Sequence, residues 1–294
     1  MNPLRTAILG CGGFARRHAQ LISEMPEEAQ LVAFCDRNHD RAEAYAADFT
    51  DGQAAIFTDH HQLIDKAHLD LLVICLPPYG HSDEVAYAAS RGVHIFIEKP
   101  IALTSVQAWD MVEAVESAGV VTQVGFMFRF GAAVARLKQL IDSGEAGPVG
   151  LMTARYFCNS LHAGWWRERH KSGGQLVEQV IHMVDLMRYL LGDASTVYSL
   201  QRNLFHQETP NYTVEDVSGT VFGFANGGIG TISATNGAIP GQWINDYRVV
   251  TRNVTAEFAD ANNATLLHTA EAASGGDLRT EIVASEEDVY RLEM

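Results

Sequence analysis

Two stretches of this chain carry residue types that could do chemistry. The first is residues 93–100, VHIFIEKP, an apolar run that stops abruptly at Glu98, Lys99 and Pro100. A short apolar run between a glycine and a proline reads as a buried strand. In an open α/β sheet, ligands bind beyond the carboxyl ends of the strands, so Glu98 and Lys99 fall where a substrate would. A lysine there can donate hydrogen bonds to a substrate hydroxyl, and burial can lower its pKa until it exchanges protons. The alternative is a solvated strand end. The second stretch, 175–191, reads as one mostly apolar helix closed by Gly192, with a polar stripe at Glu178, His182 and Asp185. Spacings of i, i+4 and i+7 stack these three on one face. A polar stripe on a buried helix is costly unless something uses it. Glu178 one turn before His182 would favour the charged imidazole and help fix its tautomer, which suits a general acid/base. A core histidine satisfied by Glu178 is the competing reading.

The elements that must position these groups follow in order. Residues 4–9 (LRTAIL) form a strand that runs into Gly10-Cys11-Gly12-Gly13-Phe14-Ala15, a GxGxxA pattern, with a helix over 14–25 stopped by Pro26. Gly10 allows the tight turn, Gly12 lets backbone approach a pyrophosphate, and Ala15 lets helix and strand pack closely. The helix N-terminus then offers free N–H groups to phosphates. A second strand, 31–35, ends in Asp36, where a ribose-binding acid belongs. A carboxylate there would repel a 2′-phosphate by roughly 4 kcal/mol per charge at about 4 Å and an effective dielectric of about 20. That favours NAD, while Arg37 leaves NADP open. Further elements alternate: a helix over 40–49, a strand at 54–57, a short helix after Asp59, and a buried strand at 69–76 ending in Leu76. Pro77-Pro78-Tyr79-Gly80 follows as a stiffened loop under the expected nicotinamide position. A helix over 82–91 precedes the VHIFIEKP strand, and Thr104 with Gln107 forms a capping box for a helix ending near Gly119. Alternation of this kind means a doubly wound parallel sheet.

Bulk numbers agree with a globular protein. The 294 residues suffice for two domains, and 47% hydrophobic with 19% charged residues permits a substantial core. A formal charge of −15 argues against a nucleic-acid partner. No apolar run approaches a membrane span, and the N-terminus lacks a signal-peptide layout. Cys11, Cys35, Cys75 and Cys158 show no CxxC spacing, so structural thiols in a reducing compartment, by default the cytoplasm, are expected.

Taken together, GxGxxA, Asp36, the Pro77-Pro78 loop with His81, and Glu98-Lys99-Pro100 resemble the Gfo/Idh/MocA oxidoreductases, the family of glucose–fructose oxidoreductase and inositol dehydrogenase. The likeness continues through Arg129-Phe130 and RLKQLIDSGEAGPVG. It implies an α/β chain with an N-terminal Rossmann domain, 1–122, and a C-terminal α+β domain, 123–294, carrying a large open, mostly antiparallel sheet. The cofactor set expected from motif and resemblance is Gly10, Gly12, Gly13, Phe14, Ala15, Asp36, Arg37, Leu76, Pro77, His81, Glu98 and Lys99. The family pattern GG…D-x-G-x-H-x-x-D is matched at Gly173-Gly174, His182 and Asp185, and implies that the histidine and first aspartate are catalytic beside the lysine, which makes His182, Glu178 and Lys99 the expected catalytic set, Glu178 orienting His182. Glu178 stands where the aspartate belongs and Val180 where the glycine does, which leaves the role of Glu178 and the substrate open.

In the second half, a helix over 132–141, a strand over 149–159 and a loop over 160–174 lead into the 175–191 helix. Trp165 and Trp166 could stack on a sugar ring, with Arg129, His162 and Asp185 supplying hydrogen bonds, or they could be core aromatics. Glu178, His182, His162 and His170 show no familiar zinc spacing, so no metal is expected. Beyond Thr196 the pattern turns strand-like, with a hairpin signal at Ala225-Asn226-Gly227-Gly228. The resemblance implies a homo-oligomer, dimer or tetramer, formed through this sheet. Relatives of this kind usually continue with a further helical segment where this sequence stops at Met294, so the chain is either a short member or incomplete. The expected function is hydride transfer between NAD(P) and a secondary alcohol or ketone of a sugar, polyol or related cyclic compound. The competitors are an NAD-dependent glycosidase working by transient oxidation and a non-catalytic NAD(H) sensor.

Overall fold

The computed structural model describes residues 2–273 and 275–294. The chain divides into two compact units, Met1–Gly125 and Phe126–Met294.

The first unit alternates strand and helix: β1 (Leu4–Leu9), α1 (Ala15–Ser23), β2 (Ala29–Cys35), α2 (His39–Thr50), β3 (Ala55–Phe57), α3 (His60–Lys66), β4 (Leu71–Ile74), α4 (Glu84–Ser90), β5 (His94–Ile97), α5 (Ser105–Ala118) and β6 (Thr122–Val124). All six strands pair in parallel, in the order β3-β2-β1-β4-β5-β6. The order reverses between β1 and β4, and the carboxyl ends on either side of that point are where such sheets bind ligands. Ala7, Leu72, Ile74 and Ile95 are buried in the sheet's core, which explains strands that read as continuous apolar runs. Local chemistry sets the helix starts. Asn38 caps α2 through Asp40 N–H, Asp59 caps α3 through Gln62 N–H, and Thr104 caps α5 through Gln107 N–H. The reciprocal half of the expected capping box does not form. The Gln107 amide donates instead to the His81 carbonyl, tying α5 to the loop after β4.

The second unit opens with α6 (Ala132–Asp142) and β7 (Val149–Phe157), then α7 (Arg169–Ser172), α8 (Gln175–Glu178) and α9 (Ile181–Leu191). There follow β8 (Ala194–Arg202), β9 (Val217–Phe224), β10 (Ile229–Thr235), β11 (Tyr247–Thr251), β12 (Val254–Phe258), β13 (Ala264–His268), α10 (Ala270–Ala273), β14 (Arg279–Val283) and α11 (Val289–Glu293). Eight strands form one sheet, β14-β13-β12-β11-β7-β10-β9-β8, in which only β7 and β10 pair in parallel. The hairpin forms at 225–228, where Asn226 Oδ1 accepts the Gly228 N–H. Leu137 and Leu140 of α6, and Met183, Leu186 and Leu190 of α9, pack on one face against Met152, Ile232, Val249 and Leu266. The opposite face leaves Val221 and Ile229 about half exposed.

One expectation is corrected here. The single helix over 175–191 is two helices, broken at Gln179 and Val180. Val180 N–H reaches back to Gln175 C=O and Met183 N–H to Val180 C=O, so the i→i−4 ladder is interrupted. The cause is not local. Glu178 is anchored to Trp166 and Gln179 to His162, both on the loop before α8, and these anchors turn the backbone. Glu178, His182 and Asp185 therefore do not share one continuous helical stripe.

Candidate active site

In the first unit the glycine turn is built as its chemistry requires. Gly10 has φ +93°, and a Cβ there would lie 2.6 Å from the Cys75 carbonyl oxygen, so only glycine fits. At Gly12 and Gly13 a Cβ would meet nothing within 4 Å, which leaves bare backbone open above the start of α1. Tyr45 hydroxyl fixes this turn by donating to the Gly12 carbonyl. Asp36 accepts the Cys11 N–H at 2.9 Å and the Asn38 N–H at 2.8 Å, so its carboxylate is held at the mouth of the turn. Burial, with Asp36 nearby, pushes the Cys11 thiol up to about 12, so it is not a nucleophile. Ala15 is buried against the sheet, Phe14 is about half exposed, and Arg37 is exposed. This arrangement fits a dinucleotide, for which Gly12 and Gly13 would face the pyrophosphate and Asp36 the adenosine ribose.

Beyond β4, Leu76 and Pro77 are partly buried, and Gly80 N–H closes a tight turn on the Pro77 carbonyl at 2.7 Å. The His81 side chain is wholly buried, its Nδ1 2.6 Å from Glu84 Oε1, and Glu84 also accepts from the Ser82 N–H and hydroxyl. Burial opposes the charge on Glu84, and these hydrogen bonds outweigh it, holding the carboxyl below its ordinary range.

At the end of β5, Glu98 does not face open solvent. It is buried with Oε1 2.7 Å from His18 Nε2, and its Oε2 accepts the Lys99 N–H at 3.2 Å. A Cβ on Gly125 would sit 2.9 Å from that carboxylate, so the glycine makes room for it. The pair joins α1, which the glycine turn opens, to the strand that ends in Lys99. Sequence reasoning missed His18. The signal was a polar residue on the face of α1 that otherwise buries Ala15, Ala19 and Ile22.

In the second unit, His182 is buried among Phe128 at 5.2 Å and Phe126 at 6.2 Å between ring centroids. Glu178 Oε2 accepts the Trp166 indole N–H at 2.8 Å. Arg129 and Asp185, both expected near substrate, are brought together as a two-pronged ion pair at 2.7 and 2.5 Å. Burial raises the Asp185 pKa, with Arg129 pulling against it. Trp166 is buried at 2% exposure, and the partly buried Trp165 packs against the cluster it forms with Tyr212 and Val214. His162, with φ +52°, lies 4.3 Å from the Trp166 ring and 2.9 Å from the Gln179 amide nitrogen. His170 stays at the surface beside Glu168. Trp243, which no motif marked, is half exposed and sets its ring edge-on to Tyr156 and His162.

Comparison with known proteins decides the family. Residues 4–126 match the oxidoreductase family with an NAD-binding Rossmann fold, and residues 134–257 match the C-terminal domain of the same Gfo/Idh/MocA group. A D-glucoside 3-dehydrogenase of Escherichia coli K12 is 30% identical over 244 residues, 78% of this chain and 69% of that one. The chain belongs to the Gfo/Idh/MocA family. A scyllo-inositol 2-dehydrogenase (NAD(+)) of Bacillus subtilis is 31% identical over 245 residues, 80% of this chain and 68% of its own length. Among solved structures, levoglucosan dehydrogenase in complex with NADH and levoglucosan superposes with a TM-score of 0.87 at 22% identity, over 99% of this chain and 87% of that one. As a Gfo/Idh/MocA protein, this chain is an NAD-binding oxidoreductase, and its open glycine turn and placed Asp36 are the features that suit the cofactor.

Proposed function

We propose that this oxidoreductase transfers a hydride between nicotinamide and a secondary alcohol or ketone of a sugar, polyol or related cyclic compound. The observation that carries the reading is Lys99 at the carboxyl end of β5, in a sheet whose glycine turn suits a dinucleotide. Bound NAD supplies the hydride acceptor. His182 takes the hydroxyl proton as general base, and Lys99 donates to the reacting oxygen and steadies its developing charge. Glu178, through Trp166, holds the 160–174 loop against the segment that leads into His182. The names of the glucoside and inositol dehydrogenases support the substrate class. The test is absorbance at the reduced-nicotinamide band with NAD or NADP and a panel of sugars and polyols. His182→Ala should lower turnover at least about 100-fold with NADH binding intact. Unchanged turnover would remove His182 from the mechanism.

A relative named 2,7-anhydro-N-acetylneuraminate hydratase, 30% identical over 201 residues, favours one second reading, in which oxidation is transient and NAD is regenerated. That reading predicts a changed sugar without net NADH. We further propose a homo-oligomer built on the exposed face of the second sheet, where Val221, Ile229 and Tyr198 lie open. A reducing compartment suits the four free cysteines, and no described helix is long and apolar enough to cross a membrane.

A further inference from the structure

The loop over 160–174 and the break between α8 and α9 build a polar cluster in which each group has a readable task. Cys158, at the end of β7, is buried, and its thiol donates to Asn236 Oδ1 at 3.3 Å. Asn236 Oδ1 also accepts the Ser160 N–H, which fixes which way that amide points. Gln179, 5% exposed, directs its amide nitrogen at His162 Nε2 across 2.9 Å. An amide N–H can only donate, so this contact makes Nε2 an acceptor and places the ring proton on Nδ1. Nδ1 makes no hydrogen bond among the described residues. The half-exposed Trp243 ring lies 5.8 Å from the His162 ring, centroid to centroid.

The charges around His162 favour the neutral ring. Burial lowers its pKa, Arg167 lowers it further, and Glu178 acts in the opposite sense. The cations of the same loop are engaged: Arg169 with Glu215 and Lys171 with Glu168, while Arg167 donates to the Leu161 and His162 carbonyls. A ligand carboxylate or phosphate would find no imidazolium there, and of these three cations Arg167 alone has no carboxylate partner among the described residues.

We propose that Gln179, His162 and Trp243 form a specificity subsite for an uncharged ring: His162 gives one N–H to a hydroxyl or ring oxygen and Trp243 offers it an apolar face. This rests on the sugar or polyol reading above, and it narrows that reading to neutral compounds over sugar acids. Gln179 is a positioning residue, acting through the tautomer of His162 rather than on the ligand.

Two measurements test it on the full-length protein. Nitrogen-15 spectra of histidine-labelled protein, assigned with His162→Asn, should show His162 protonated at Nδ1 and uncharged at pH 7. An Nε2–H tautomer or an imidazolium overturns the inference and leaves the oxidoreductase reading untouched. Gln179→Glu places a carboxylate against Nε2. The ring should become charged at pH 7 while keeping its Nδ1–H, so KM for neutral sugars should change little and uronic acids should gain relative to their neutral parents. Gln179→Leu releases the tautomer and should raise the neutral-sugar KM up to about tenfold, the worth of one hydrogen bond, with kcat kept and with no gain for acids. A wild-type protein that prefers uronic acids, or a Gln179→Glu variant with unchanged selectivity, overturns the subsite. A panel in which no sugar or polyol is turned over, with the spectra as expected, overturns instead the substrate reading on which it rests.

Discussion

At the scale of single residues, the first unit depends on two carboxylates with different tasks. Asp36 is held by two backbone N–H groups at the mouth of the glycine turn. Asp36→Asn should weaken NADH about tenfold and narrow the gap to NADPH, read by nicotinamide fluorescence titration; equal losses for both cofactors would remove the ribose role. Glu98 is buried and paired with His18. His18→Leu leaves that carboxylate buried without its partner, so a loss of about 3–5 kcal/mol is expected in urea denaturation. Gly125→Ala drives a methyl into the same carboxylate and should also destabilise the fold, together with the position of Lys99. A neutral result for His18→Leu would mean that the remaining contacts of Glu98, the Lys99 N–H among them, suffice to hold it. Glu98 and Lys99 were legible because a strand end is a local pattern. His18 was not, because its partner lies 80 residues away in sequence and a buried histidine looks the same with or without one.

Among the elements, α6 is tied to edge strand β14 by Arg136 and Glu281, with His268 of β13 on the same carboxylate. Arg136 first, then His268, hold the Glu281 pKa down from 4.5 to about 2. A depressed carboxyl contributes stability that is full above the unfolded value and fades as pH falls through the folded one. Glu281→Gln should therefore cost about 1 kcal/mol at pH 7, after discounting for solvent screening. The difference from wild type should shrink between pH 4.5 and about 2. A difference that persists at pH 2 would assign the effect to packing. Most elements follow from apolar periodicity and capping residues, and their ends fall within a few residues of those expected. The break between α8 and α9 does not. Residues 175–191 contain no proline and no internal glycine, so local propensity reads straight through. The partners of Glu178 and Gln179 on a preceding loop hold the chain in its turn there.

For the molecule as a whole, the open sheet face sets the prediction for association. Val221→Glu with Ile229→Glu should shift the proposed oligomer toward monomer in light scattering, with NADH binding kept, since both lie in the second unit. An unchanged mass would place the interface elsewhere. The pairing of the second sheet has one more consequence. Its central strand β7 is hydrogen-bonded to β10 on one side and β11 on the other, and both come more than 70 residues later. On the ribosome, β7 therefore waits with both edges unpaired until residues 229–251 have been made, whereas the strands of the first unit are complete by Val124. Long-range closure of this kind is slow and exposes apolar edges meanwhile. The second unit is thus where a chaperone would act, and where a premature stop before Ile229 would leave β7 with neither neighbour.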